Sequence, residues 1–166
     1  MCPWLPAVFH ALEQEITGFG GKWIMKSRFV LPSVIEWDDR YKVGVESLDR
    51  AHQELFTIIN RLYKLLNDGG RDKWACEQTI KYLKNYTLQH FNDEEAYMAS
   101  INDTGLPVQQ AEHAKLRDVV LPRLERHLVT TDYAGEAIEK FVKVCFIWLD
   151  KHIRSRDRFI GVQKSR

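Results

Sequence analysis

The run His90-Phe91-Asn92-Asp93-Glu94-Glu95 decides how this chain is read, because it sets an imidazole and a carboxylate four residues apart within an amphipathic helical pattern. At 3.6 residues per turn both side chains share one face. The surrounding pattern covers about residues 72–100, through Trp74, Ile80, Leu83, Tyr86, Leu88, Phe91, Tyr97 and Met98, and Asn102-Asp103-Thr104-Gly105 ends it.

Three more helical patterns flank this one. Leu48, Leu55, Ile58, Ile59, Leu62, Leu65 and Leu66 recur at three-and-four spacing until Asn67-Asp68-Gly69-Gly70 supplies a stop. A third pattern starts at Pro107, suited to a first helical turn, and carries Leu116, Val119, Val120, Leu124 and Leu128; Pro122 inside it predicts a kink or interruption. A fourth uses Ile138, Phe141, Val142, Cys145, Trp148 and Leu149, with Asp132 as its expected N-cap. Four helices on short loops predict an all-α fold, an antiparallel up-down four-helix bundle over residues 34–166. Its first part, residues 35–45 with Trp37, Tyr41, Val43 and Val45, is expected to pack irregularly along the core. Residues 1–33 hold two early prolines, Gly18-Phe19-Gly20-Gly21 and only a weak helical pattern at residues 8–16, and read as an N-terminal extension, an ordered arm or short helix.

A chain of 166 residues with 45% hydrophobic content buries one core rather than two. With 24 basic and 23 acidic residues it carries no basic field for nucleic acid. The three cysteines, Cys2, Cys76 and Cys145, are widely spaced and form no CxxC pair, which argues against a disulfide framework or thiolate zinc site. The most apolar run, residues 142–149, is too short to span a bilayer, and the start has no signal-peptide pattern. A cytoplasmic protein with no membrane partner is the expectation.

The chemistry resides in further pieces at helical spacing: Asp49-Arg50-Ala51-His52, Gln109 with His113, and His152-Ile153-Arg154-Ser155-Arg156-Asp157. A single histidine on a helix is ordinarily a surface or core residue. Here four of the six histidines fall one per predicted helix, and two of those helices add a carboxylate within one or two turns. Together they read as a dinuclear metal site. Imidazoles and carboxylates without thiolates suit iron, manganese or zinc. Glu94 and Asp157, each able to span two ions, favour two metals over one. Ferritin-like bundles place Glu-x-x-His with the carboxylate first, whereas this chain has the order His-x-x-x-Glu. His10 and His127 fall outside the pattern. Asp49 is expected to cap the first helix in preference to forming a hydrogen bond near the site, and Glu112, beside His113, is a further candidate donor although expected to point away from the face shared by Gln109 and His113.

The pieces Trp37 with Tyr41-Lys42-Val43-Gly44-Val45, Leu48-Asp49-Arg50-Ala51-His52-Gln53-Glu54-Leu55, His90-Phe91-Asn92-Asp93-Glu94-Glu95 and Trp148-Leu149-Asp150-Lys151-His152-Ile153 through Asp157 resemble the hemerythrin family, bacterial type, over about residues 35–160. The resemblance implies a non-haem diiron centre, two iron ions with a bridging oxo or hydroxo group, that binds dioxygen or another small diatomic or peroxide ligand. It implies Glu94 and Asp157 as bridging carboxylates, His52 and His90 on one iron, and His113, His152 and one more histidine on the other. That last histidine is absent. Either Gln109 and His113 take the two third-helix positions, the preferred register, or His113 and Arg117 do. Gln109 offers a carbonyl oxygen, weaker than imidazole, or leaves a position to water.

The resemblance also implies that Leu55, Trp148, Leu149 and Ile153 line the ligand pocket, although apolar residues at helical spacing are first of all core. The leading expectation is oxygen binding, storage or sensing rather than catalysis. Its rivals are a diiron oxidase, peroxidase or nitric oxide scavenger, with Tyr86 and Tyr97 as the nearest acid–base candidates, and a redox or oxygen signalling module acting through a protein partner.

Overall fold

The computed structural model describes residues 34–67 and 72–160. The predicted extension at residues 1–33, with Cys2 and His10, and the predicted stop at residues 68–70 lie outside the described residues. Over the rest the chain runs as four helical rods in an antiparallel bundle. Helix α1 spans Glu46–Asn67, α2 Lys73–Ser100, α3 Leu106–Lys115, α4 Leu121–Thr130 and α5 Gly135–Ser155. A π turn over Leu116–Val120 joins α3 and α4 into one rod, and 3-10 turns occupy Asp39–Tyr41 and Asp157–Phe159. Helix α1 packs on α2 and α5, α2 on α3, and α4 on α5. Among the described residues no helix is long and apolar enough to cross a membrane.

Patterning accounts for each rod. On α1, Leu48, Leu55, Ile58, Ile59 and Leu62 are buried while Gln53, Thr57, Arg61 and Lys64 face water, the stripe an amphipathic helix needs. Helix α2 starts at a true cap, where Asp72 accepts from the Ala75 backbone N–H at 3.0 Å. It ends where Asn102 takes a left-handed φ of 53°, a conformation asparagine tolerates.

Two capping expectations are corrected. Asp132 does not cap α5: Ala134 precedes that helix with no side-chain cap. Asp132 and Tyr133 both take left-handed φ values, 51° and 55°, whereas an N-cap needs extended backbone. The Asp132 carboxylate is instead ion-paired with Lys73 at the start of α2. Asp49 does not serve the N–H groups of its own helix either. Its carboxylate accepts from the backbone of Val43 at 2.7 Å and Gly44 at 3.2 Å, fixing the turn before α1, where Gly44 has a φ of 82° that a side chain would strain.

Pro122 does interrupt its helix, through the π turn just ahead of it. Proline supplies no N–H, so the preceding turn has a free carbonyl to rearrange. The wider turn also corrects phase. Leu116, Val120, Leu124 and Leu128 are spaced by four and all buried, yet in an unbroken α-helix each four-residue step drifts by about 40°. One π turn takes back most of the accumulated rotation, so Leu124 and Leu128 return to the side occupied by Gln109 and His113.

The segment before α1 is held by two polar ties. Asn60 accepts from the Ile35 N–H at 2.8 Å and donates to the Ile35 carbonyl at 2.9 Å, standing in for a neighbouring strand. The buried Tyr41 hydroxyl donates to Asp150 at 3.0 Å, and Trp37 stacks on Tyr41 at 5.7 Å. Leu48, Met98 and Ile160, with Val43, Val45, Tyr97 and Leu106 packed against them, form a second small core.

Asn60→Ala removes both partners of Ile35, and the expected cost is about 1–3 kcal/mol together with faster exchange of the Ile35 amide. Trp74→Ala, at a side chain 69% exposed, is the control and should stay within about 0.5 kcal/mol. Urea unfolding and amide exchange measure both.

Candidate metal centre

Seven polar side chains converge inside the bundle: His52 from α1, His90 and Glu94 from α2, Gln109 and His113 from α3, His152 from α5, and Asp157 from the 3-10 turn after it. All are buried, and His152, the most accessible, is 4% exposed. Helical spacing places each pair on a shared face. Asp157 arrives differently: Arg156 leaves the helical conformation with its N–H on the His152 carbonyl, and the chain turns Asp157 back under the bundle.

Each carboxylate divides its two oxygens between two groups of imidazoles. Glu94 Oε1 lies 3.8 Å from His52 Nε2, while its Oε2 lies 3.2 Å from His113 Nε2. Asp157 Oδ2 lies 3.3 Å from His52 Nε2, while its Oδ1 lies 3.2 Å from His152 Nε2. One donor atom each from His52, His90 and Glu94 falls within a 4.8 Å span, and so does one each from Glu94, His113 and His152.

Gln109 completes the second group. Its Nε2 lies 2.7 Å from Glu94 Oε2, 2.6 Å from Asp157 Oδ1, 2.9 Å from His152 Nε2 and 3.3 Å from His113 Nε2. Arg117 is 44% exposed and paired with the neighbouring Asp118. The register of the third rod is therefore Gln109 with His113.

These residues fit a metal, and three observations show it. The first is spacing. An ion with bonds of about 2.1–2.2 Å at right angles holds neighbouring donors about 3 Å apart. His113 Nε2 and His152 Nε2 stand 3.1 Å apart, and the carboxylate contacts just given are similar.

The second is unmet need. His52 Nε2, Glu94 Oε1 and Asp157 Oδ2, which face one another, are buried without a hydrogen-bond partner, and each such atom costs about 1–3 kcal/mol. The 3.3 Å approach of His52 to Asp157 is not aligned as a hydrogen bond.

The third is charge. Burial, reinforced by the Asp157 charge, pushes the Glu94 carboxyl up to about 8. Burial opposes the Asp157 charge as well, but His152, His52 and Gln109 outweigh it and hold that carboxyl below the ordinary range. Burial, with His52 nearby, pushes His90 down to about 3, and burial lowers His113 too. Burial thus favours the uncharged forms of His90, His113 and Glu94, and a cation bound there would take the place of the Glu94 proton.

Aromatic rings fix the imidazoles. Phe91 stacks on His113 with centroids 3.7 Å apart and planes 5° apart, and Trp148 stacks on His152 at 4.2 Å and 17°. Leu55, Trp148, Leu149 and Ile153 are all buried. The first three line an apolar cavity of about 20 Å³ together with Ile59, Leu83 and Phe141; Ile153 is core outside it. Tyr97 packs in the second small core, and Tyr86 sits beside Tyr82.

Behind the histidines stand Glu95 and Arg156, which sequence reasoning missed, and Glu112, which it took as a candidate donor to the metal. His113 Nδ1 meets Glu95 Oε1 at 2.8 Å, His152 Nδ1 meets Glu112 Oε2 at 3.0 Å, and Arg156 Nε donates to Glu112 Oε1 at 2.6 Å. Glu112 does turn from the Gln109 and His113 face, as expected, but toward His152. Burial alone would raise its carboxyl; hydrogen bonds from His152 and Arg156 bring it below the usual value. The only signal in the sequence was adjacency to Glu94 and His113.

Comparison with known proteins agrees with this geometry. Residues 43–159 match the family described as "Hemerythrin HHE cation binding domain". A bacteriohemerythrin from Clostridium acetobutylicum is 32% identical over 126 residues, covering 74% of this chain and 95% of that protein. A myohemerythrin from Riftia pachyptila is 32% identical over 129 residues, covering 78% of this chain and 92% of its own. A hemerythrin-like protein from Naegleria gruberi is 29% identical over 133 residues, covering 80% and 96%. With the family match spanning most of the described bundle, this chain belongs to the hemerythrin family.

Proposed function

We propose that this chain holds a non-haem diiron centre and binds dioxygen or a related small ligand there, for oxygen binding, storage or sensing. The observation that carries the reading is the division of Glu94 and Asp157: each presents one oxygen to His52 and the other to the group of Gln109, His113 and His152. Two carboxylates arranged in that way could each serve two ions. His52 and His90 would hold one, and His113, His152 and Gln109 the other, with Gln109 contributing Oε1 after a half-turn of its amide. A pair of ferrous ions supplies the electrons that make reversible capture of dioxygen possible.

The protein's own part is positioning and exclusion of water. Four rods fix the donors, Phe91 and Trp148 hold two rings flat, and Leu55, Trp148, Leu149 and Ile153 keep the surroundings apolar. Such a wall withholds the protons that would discharge a bound ligand. Oxidase, peroxidase or nitric oxide scavenging chemistry is a second reading, favoured by one observation: Gln109, a weaker donor than imidazole, occupies a ligand-facing position.

The test is metal content together with the optical spectrum of the anaerobically reduced protein before and after oxygen. About two iron ions per chain and a visible absorption change that reverses on removing oxygen are expected. Rapid irreversible oxidation would move the assignment to the second reading, and a chain that retains no iron would end both. Gln109→His should lengthen the lifetime of the oxygenated form by on the order of tenfold, read from the decay of that absorption. Arg117→His, at an exposed position, should leave it unchanged.

A further inference from the structure

The two halves of the site differ in what stands behind their imidazoles. His113 and His152 each direct Nδ1 at a carboxylate, Glu95 at 2.8 Å and Glu112 at 3.0 Å. An ionised carboxylate only accepts, so both rings carry their proton on Nδ1 and turn the Nε2 lone pair toward Gln109, Glu94 and Asp157. His52 and His90 have no such support: their Nδ1 atoms are buried without a hydrogen-bond partner. The half with carboxylate-backed rings is the half in which an amide stands instead of a third imidazole.

A carboxylate accepting Nδ1–H pushes electron density into the ring and makes Nε2 a stronger donor toward a cation. Glu112 is itself held for this task, since Arg156 takes Oε1 at 2.6 Å and leaves Oε2 for His152. Glu95 sits on α2 and Glu112 on α3, so the two supports come from different rods and act on different rings. Both lie one residue from a site residue, turned by about 100° around their helices, and so reach the outer edge of the ring of a neighbouring rod.

We infer that Glu95 and Glu112 are positioning residues that strengthen His113 and His152 as metal ligands and so offset the weak donor at Gln109. The inference rests on the two-metal reading above. It assigns a selective role: the supports act on the ion of the Gln109 half and leave the ion of the His52 and His90 half alone.

The experiment is titration of the metal-free full chain with cobalt(II), followed by ligand-field absorption and calorimetry, with thermal melting of the metal-free form in parallel. The parent is expected to take up two ions in resolvable steps, one of which His113→Ala abolishes. Glu95→Gln and Glu112→Gln, which keep shape and lose charge, should each weaken that step by about 10–100-fold and leave the other within about twofold. The melting temperature of the metal-free chain should stay at the parent value. If both steps weaken together and melting falls, the two residues are merely structural and the inference is overturned. If both steps are unchanged, it is overturned with the two-metal reading intact. If the parent itself takes up fewer than two ions, the two-metal reading fails and this inference with it.

Discussion

Glu94 and Asp157 are fully buried carboxylates beside one another, and the rest of the bundle is arranged around that fact. Two carboxyl groups in an apolar interior cannot both ionise cheaply, and burial with the Asp157 charge pushes Glu94 up to about 8, so the pair favours holding a proton until a cation replaces it. The strongest influences on Glu94 are burial, Asp157, His152, His52 and Gln109, and no lysine or arginine is among them. Pairing therefore falls to imidazoles and to the Gln109 amide rather than to a fixed positive charge. A bundle of this kind commits core volume to polar groups that its own side chains satisfy only in part, so uptake of a cation would be coupled to its stability.

The parts of this arrangement legible in the sequence were those written within one helix. Apolar recurrence gave the four rods, and the four-residue spacing of His90 and Glu94 gave a shared face before any contact was known. Pro122 announced an interruption, although not that a π turn would form it. What stayed hidden depends on neighbours from other rods. Glu112 reads as a spare donor on the wrong face of its helix until His152 and Arg156 are brought against it. Phe91 reads as core until His113 lies flat on its ring. Asp132 reads as a cap until the left-handed turn removes it from the helix start and Lys73 takes its charge. Asn60 gives no signal at all, because its partner is the backbone of Ile35.

Gln109 shows why a departure from the family pattern can persist in such a site. Gln109 is buried and ends within hydrogen-bonding reach of both carboxylates. An imidazole there would present one nitrogen to the group, as either a donor or a lone pair according to tautomer. An amide presents either chemistry by turning over. With N–H₂ inward it donates to Glu94 Oε2 and Asp157 Oδ1 together, relieving the carboxylate oxygens of its own half without a cation. With the carbonyl inward it would offer an oxygen to the proposed ion.

The orphaned atoms agree with that division. Glu94 Oε1, Asp157 Oδ2 and His52 Nε2 all face the other half, which Gln109 does not reach. The amide thus stabilises the metal-free chain on one side only. Because an ion's apparent affinity is set by the difference between bound and free states, stabilising the free state would loosen the proposed ion of the Gln109 half even with sound ligand geometry. The side chain that would be a weak ligand in the proposed centre is, in this position, a good substitute for the cation.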